Sequence, residues 1–474
     1  MLDKEISNLI AYAETYLMMD KLDESRAVRR ITAALGINDY VPTEPDEETA
    51  DASSPQALIA PMLAYALEKG VATSETLPEL KAEILDAVSL KPSEINDLFA
   101  DTYAVNKQKA LDFLYDYSVR NGYVDLAACA SNDRWEAKEL KSKIEVIINL
   151  MPQAETNGYP ECPLCLENMG YKDHANMRAV LADICGEDWA FNYVRHQYFD
   201  KHGVLSNCEH VPMTDGKTMI DKLAAAAEFM GGDAFVCTNA IVKDGGAKNI
   251  VHEHFQTGSR TTPMLKAEIK KKLKAKEYPY LEMGLVDWYS TVIRFSHSNA
   301  QKTAEFAAKI DEAWRKYGDE RIVNPDGTKN FCNFVVRKQN GKYIYDVVLR
   351  SNGMKKPKTS PEYGEIKADA LSITDIMGYF VLPTKLSEEL KQVQLYLDGT
   401  IPFEPSALPA PMKHFEKMIE RMLKAQGGTV SKLEAKLNVH DEVDLVCEKM
   451  LASTAVFDGE TIKPFLDTLG IDIL

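Results

Sequence analysis

The chain has 474 residues, a formal net charge of −17 at pH 7 and an apolar fraction of 45% with 9% aromatics, the profile of a soluble globular protein of two to four domains. The negative charge opposes broad binding to nucleic acid or anionic membranes, and no apolar run approaches the roughly 20 residues that cross a bilayer. The acidic N-terminus lacks the features of a secretion signal, so the expected location is cytoplasmic. Eight cysteines in a chain this long are not a disulfide framework, and only Cys162 and Cys165 are closely paired.

Residues 1–120 show helical periodicity, clearest in ALIAPMLAYALEKG (57–70) and SEINDLFADTYAVNKQKALDFLYDYSVRNG (93–122), with an acidic connector, VPTEPDEETADASSPQ, between helices. KIEVIINL (143–150) then alternates like a strand, and GYPECPLCLENMGY (158–171) carries loop punctuation. DGKTMIDKLAAAAEFMGG (215–232) predicts a helix ended by glycines, followed by strands in DAFVCTNA (233–240) and KNIVHEHFQTG (248–258). The Lys-rich MLKAEIKKKLKAKEYPY (264–280) reads as helical. Further strands are expected in DWYSTVIRFS (287–296), in two runs hinged at Asn340-Gly341, and in IMGYFVLP (376–383), with SNAQKTAEFAAKIDEAWRKYG (298–318) as a helix among them. The tail from 386 reads as helical. The fold class is α+β: a helical N-terminal region (1–120), two mixed units (121–265 and 266–385) and a helical C-terminal region (386–474).

Two groups of residues carry chemistry. Cys162-x-x-Cys165 points to a metal or a redox pair, and two further N or S donors would close a tetrahedral zinc site, with His202, Cys208, His210 and His252 as candidates. In VHEHFQTG (251–258) a strand would put His252, His254 and Gln256 on one face. A neutral imidazole is a good nucleophile toward phosphorus, and a glutamine beside it can donate to the phosphoryl oxygens. Just upstream, Gly245 and Gly246 offer backbone N–H groups to a phosphate, and Lys243 and Lys248 add positive charge.

Together these strings resemble the galactose-1-phosphate uridylyltransferases of the histidine-triad superfamily, in particular their second bacterial class. YPECPLCLENMGY (159–171) is similar to that class's Tyr-Pro-x-Cys-x-Leu-Cys-x-Glu-Asn-x-Gly-Tyr, CEHVPM (208–213) to its Glu-His-x-Pro-Met, and VHEHFQTG to its His-Asp-His-Phe-Gln-Gly-Gly. IEVIINL, VVLRSNG, IMGYFVLPTKL and VFDGETIKPFLDTLGI follow in the family's order, so the resemblance covers nearly the whole chain. It implies two tandem histidine-triad-like units with antiparallel sheets, of which only the first keeps the catalytic string. It further implies a nucleotidyltransferase that moves UMP between UDP-hexose and hexose 1-phosphate, galactose 1-phosphate in the family, by a ping-pong route. His254 would be the nucleophile, Gln256 would steady the phosphoryl oxygens, and Cys162, Cys165, His210 and His252 would hold a mainly structural zinc. Arg30 in VRRITAALG matches a basic residue of the class's Asn-Arg-x-Leu motif, and Asn176 and Arg178 in HANMR match part of its Asn-His-Arg segment, so the resemblance implies substrate-binding roles for the three, the arginines toward phosphate or sugar phosphate.

The chain departs from the class pattern in KDHANMR, FNYVRHQYF, NAIVKDGGAK and EIKADALSITD, changes that leave the nucleophile and metal-type residues in place and bear on the sugar and nucleotide taken. Rival readings are a related nucleotide phosphorylase or hydrolase with another acceptor, and a zinc-stabilised non-catalytic relative. The partners expected are UDP-hexose and hexose 1-phosphate, with no nucleic acid and no membrane, and a homodimer is compatible with the resemblance.

Overall fold

The computed structural model describes residues 2–46, 54–137, 142–150, 159–232, 234–242, 245–246, 249–259, 261–319, 329–352, 366, 370–457 and 460–474. Among the described residues seven α-helices come first: α1 (Asp3–Tyr16), α2 (Glu24–Leu35), α3 (Gln56–Glu68), α4 (Leu77–Ala87), α5 (Pro92–Val105), α6 (Lys107–Arg120) and α7 (Leu126–Ala130). Each of the long ones buries apolar residues at helical spacing, as Ile6, Leu9, Ile10 and Ala13 do in α1. Two short strands follow, β1 (Asp133–Glu136) and β2 (Glu145–Ile148).

The centre of the molecule repeats one motif. Its first copy is β3 (Val180–Ile184), β4 (Glu187–Tyr193), β5 (Gly203–Asn207), helix α8 (Gly216–Met230), β6 (Phe235–Thr238) and β7 (His254–Gly258). After the single turn α9 (Pro263–Lys266), the second copy is β8 (Ile269–Ala275), β9 (Glu282–Val286), β10 (Thr291–His297), helix α10 (Ala300–Lys316), β11 (Asn330–Gln339) and β12 (Lys342–Ser351). β13 (Tyr379–Leu382) joins β1 and β2 in a small sheet, and β14 (Ile471–Ile473) ends the chain.

Both copies lie in one antiparallel sheet of eleven strands, in the order β14-β8-β9-β10-β12-β11-β6-β7-β5-β4-β3. Three strands, a helix and two strands thus recur with the same internal order, and the copies meet where β6 pairs with β11, Val236 opposite Val336. The expected α+β architecture of two mixed units is what the structure has, with the addition that the units share a single sheet. Strand β12, the counterpart of β7, contains no histidine.

One sheet face, with Trp189, Phe191, Leu205, Val236 and Phe255, packs on α8, α10 and the N-terminal helices. The other face, with Phe235, Cys237, Val292, Val335 and Val348, packs on the small sheet and on helices Lys385–Leu397, Glu416–Gln426 and Lys432–Ala452. The Asn340-Gly341 hairpin forms with positive φ at both residues, 51° and 73°, the geometry that right-twisted two-residue turns require.

Three expectations are corrected. The Lys-rich segment is not helical beyond Lys266: Leu273 and Ala275 are buried while Lys272 and Lys274 are exposed, so its effective period is two, and it pairs with β9 and β14. The C-terminal tail is not helical throughout, because β14 completes the sheet edge. The strand expected over residues 248–258 begins at His254, and His252 lies in the turn before it.

Candidate active site

Four donor atoms, from Cys162, Cys165, His210 and His252, lie within 4.8 Å of one another. Cys162 Sγ is 3.6 Å from Cys165 Sγ and 3.2 Å from His252 Nδ1, and Cys165 Sγ is 3.1 Å from His210 Nδ1. Zinc bonds of about 2.3 Å to sulfur and about 2.0 Å to nitrogen place the donors of a tetrahedron roughly 3.3–3.8 Å apart, so this set fits the ion. The loop is preorganised: Cys165 N–H donates to the Cys162 carbonyl, and the Asn168 side-chain amide donates to the carbonyls of both cysteines. His252 Nε2 lies 2.8 Å from the Asn207 carbonyl, which can only accept, so Nε2 carries the proton and Nδ1 presents its lone pair to the cluster. His210 Nε2 faces Glu161 at 3.5 Å. Burial and the adjacent Cys162 push the Cys165 thiol up to about 11, a penalty on paired thiolates that a bound cation reverses. The rivals named from sequence lie elsewhere: His202 packs between Tyr198 and Phe199, and Cys208 is outside the donor cluster.

Two residues on, His254 opens β7 opposite Ser206 of β5, and Gln256 stands opposite Val204. His254 Nδ1 is 2.8 Å from the carbonyl of His252, which fixes the proton on Nδ1 and leaves the lone pair on Nε2. Burial, the main cause, lowers the pKa of both His252 and His254, keeping the imidazoles neutral. One residue, His252, therefore joins the two features: its ring belongs to the donor cluster and its carbonyl holds the ring of His254.

A cavity of about 780 Å³ lies against the same sheet face, floored by Ala190, Asn192, Val204 and Ser206 and walled by Leu164 and Cys165 of the cysteine loop. Lys81, Lys172 and Arg195 face Asp125 and Asp173 around it, a locally basic balance in a chain of net charge −17. Tyr123, Tyr159, Tyr171 and Tyr198 add aromatic wall. Arg195 is paired with Asp173 at 2.8 Å and lies over the Tyr123 ring.

Asn176 lines this cavity; its amide donates to the Asn121 carbonyl, and its buried Oδ1 has no hydrogen-bond partner among the described residues. Arg30 and Arg178 are brought together elsewhere, each 2.7 Å from a different oxygen of Asp86, beside a separate cavity of about 110 Å³. Arg178 also donates through Nε and Nη1 to the carbonyls of Leu90, Ala175 and Met177. Gly245 and Gly246 pack against backbone: a Cβ on Gly245 would meet the Ala240 carbonyl at 2.4 Å, and one on Gly246, where φ is +90°, the Leu371 carbonyl at 2.8 Å. Lys243 and Lys248 lie outside the described residues.

Sequence reasoning passed over Asn207, Glu253 and Lys222, which meet behind the two histidines. Glu253 gave a faint sign, as a charged residue on the face that a strand turns toward the core.

A twofold-repeated antiparallel α+β fold carrying a Cys₂His₂ metal-type site two residues from an oriented imidazole defines the class of protein. The chain belongs to the galactose-1-phosphate uridylyltransferase family: it is 30% identical over 428 residues to the enzyme of that name from Streptococcus salivarius, covering 82% of this chain and 84% of the relative. It is 27% identical over 492 residues to that of Latilactobacillus sakei, covering 96% and 95%. No family model matches. Among solved structures, a yeast Ap4A phosphorylase aligns over 61% of this chain and 89% of its own, with a TM-score of 0.37 and 11% identity. No helix among the described residues is long and apolar enough to cross a membrane.

Proposed function

We propose that the chain is a uridylyltransferase of galactose metabolism that moves UMP between UDP-glucose and galactose 1-phosphate through a covalent uridylyl-His254. The observation that carries this reading is the His254 imidazole, neutral and with its Nδ1 proton bound to the His252 carbonyl, so that Nε2 is the nucleophilic atom. The curated relatives bear the name of this activity.

In the first half-reaction the Nε2 lone pair attacks the α-phosphorus of UDP-glucose. A P–N bond forms, the P–O bond to the β-phosphate breaks, and glucose 1-phosphate leaves with the electron pair. In the second, a phosphate oxygen of galactose 1-phosphate attacks the same phosphorus, the P–N bond breaks, UDP-galactose forms, and Nε2 regains its lone pair. Gln256, two residues along the strand and on the same face, donates to the nonbridging oxygens. The cavity beside β5 accommodates the nucleotide sugar, with Lys81, Lys172 and Arg195 supplying charge toward its phosphates and Asn176 Oδ1 a buried acceptor. Zinc on Cys162, Cys165, His210 and His252 would tie the cysteine loop to the start of β7, and four protein donors leave no position for a catalytic water.

Isotope exchange between labelled glucose 1-phosphate and UDP-glucose, with no second sugar present, tests the reading. Exchange is expected, because a covalent intermediate returns UMP to the sugar phosphate just released. Hydrolysis or phosphorolysis without exchange would favour the rival acceptors and overturn it.

A further inference from the structure

Behind β7, on the side turned toward α8, a charged cluster runs from the apolar core out to the exposed Glu187. The Glu253 side chain is 1% exposed and that of Lys222, from the middle of α8, 5%, and their charged atoms are 2.7 Å apart. Lys222 Nζ also lies 2.7 Å from Glu187, and above the Trp189 ring, which stacks on Phe255. The Asn207 amide donates to both carboxylates, at 3.0 Å to Glu187 and 3.2 Å to Glu253, and the other Glu253 oxygen accepts from the Thr214 hydroxyl and N–H. A buried ion pair adds little net stability, because desolvation offsets the Coulomb attraction. Its consequence here is geometric.

Glu253 stands between the residue whose carbonyl orients the nucleophile and the nucleophile itself. Its N–H donates to the Val211 carbonyl at 2.7 Å and its carbonyl accepts from Asn207 N–H at 2.9 Å, while the Asn207 carbonyl receives His252 Nε2 at 2.8 Å. Both peptide planes that flank Glu253 are therefore pinned, and one of them carries the His252 oxygen that accepts from His254 Nδ1. We propose that Lys222, Glu253 and Asn207 form a positioning cluster that locks the main chain between His252 and His254, and so sets the rotamer and tautomer of the nucleophile. This rests on the reading of His254 as the nucleophile. None of the three touches the reacting atoms, so they are positioning residues.

Rapid-quench mass analysis of uridylylation by UDP-glucose, run on the metal-loaded enzyme, tests this in the wild type, Glu253→Gln, Lys222→Met, Glu253→Asp and the Lys222→Met/Glu253→Gln double variant. Nitrogen-15 NMR of the histidine rings reads the His254 tautomer independently of activity. Glu253→Gln and Lys222→Met are expected to form the adduct about 10- to 100-fold more slowly at saturating UDP-glucose, the scale of a small misplacement of a reacting group. The half-saturating concentration should change less than about threefold and the zinc content stay at the wild-type level, while the Nδ1–H tautomer is partly lost. Glu253→Asp, which restores the carboxylate, should recover much of the rate. If the single variants do not fold, the double variant, which leaves no unpaired charge on Glu253 or Lys222, carries the measurement. A folded, metal-loaded variant lacking the pair that labels at the wild-type rate and keeps the Nδ1–H tautomer overturns the proposal. A wild type that takes no label would instead overturn the uridylyl-histidine reading, and the tautomer would still decide on positioning.

Discussion

In the proposed reaction His254 works through the atom it is denied: with Nδ1 committed to a backbone carbonyl, only Nε2 is left to attack. If Gln256 is the phosphoryl donor of the proposed reaction, Gln256→Ala should lower transfer about 10²- to 10³-fold, the loss typical of one oxyanion donor, with binding of UDP-glucose little changed; steady-state kinetics checks this. Cys162→Ser should lose metal and thermal stability together, as elemental analysis and a melting curve would show, because metal binding is coupled to folding. His202 makes a separate prediction. Both its ring nitrogens are buried without hydrogen-bond partners among the described residues, and burial drops the imidazole to about 3, far below its ordinary 6.5. A depressed histidine contributes stability above pH 6.5 that is lost as the pH falls, because the unfolded chain takes the proton first. Denaturant titrations of His202→Phe should therefore show a stability loss between pH 7 and pH 5 smaller than that of the wild type by about 2 kcal/mol. Equal losses would show that His202 is not held neutral. At this scale the His-x-His-x-Gln and Cys-x-x-Cys strings were legible because each side chain declares its chemistry. The acceptors that orient the rings were not, since the carbonyls of Asn207 and His252 belong to the backbone and any residue supplies one.

Among the elements, long helices were the plainest in sequence and strands the least. The helix Lys432–Ala452 starts with a capping box, in which Ser431 accepts from Glu434 N–H at 3.3 Å and Glu434 accepts from Ser431 N–H at 3.0 Å. Ser431→Ala should cost about 1 kcal/mol in denaturant unfolding, while activity stays unchanged because the exposed Ser431 bonds only within its own cap. Strands β3 to β5, of which β4 and β5 floor the cavity, escaped the sequence reading. VLADI alternates over only five residues, and β4 buries Trp189, Ala190 and Phe191 in succession, a pattern with no clear period. The Lys-rich β8 misled in the other direction, since lysines that suit the solvent face of a strand also suit a helix.

For the molecule as a whole, the shared sheet is the organising fact. Because β6 and β11 pair directly and one apolar core runs under both repeats, the two units should unfold together: thermal melts followed by near-ultraviolet dichroism and by residual transfer activity are expected to coincide. Two separate transitions would mean that the units are energetically independent. Duplication in order of elements was foreseeable from the family resemblance, whereas the fusion into eleven strands depends on pairings between residues a hundred positions apart, which no local pattern records. On the proposed reading, the division of labour between repeats follows from composition, His254 lying on β7 and no histidine on β12. The most direct test is intact-mass analysis of the protein mixed with UDP-glucose. The wild type should gain one uridylyl group that galactose 1-phosphate removes, and His254→Ala should gain none; a labelled His254→Ala, or an active wild type that never carries the label, would contradict the account.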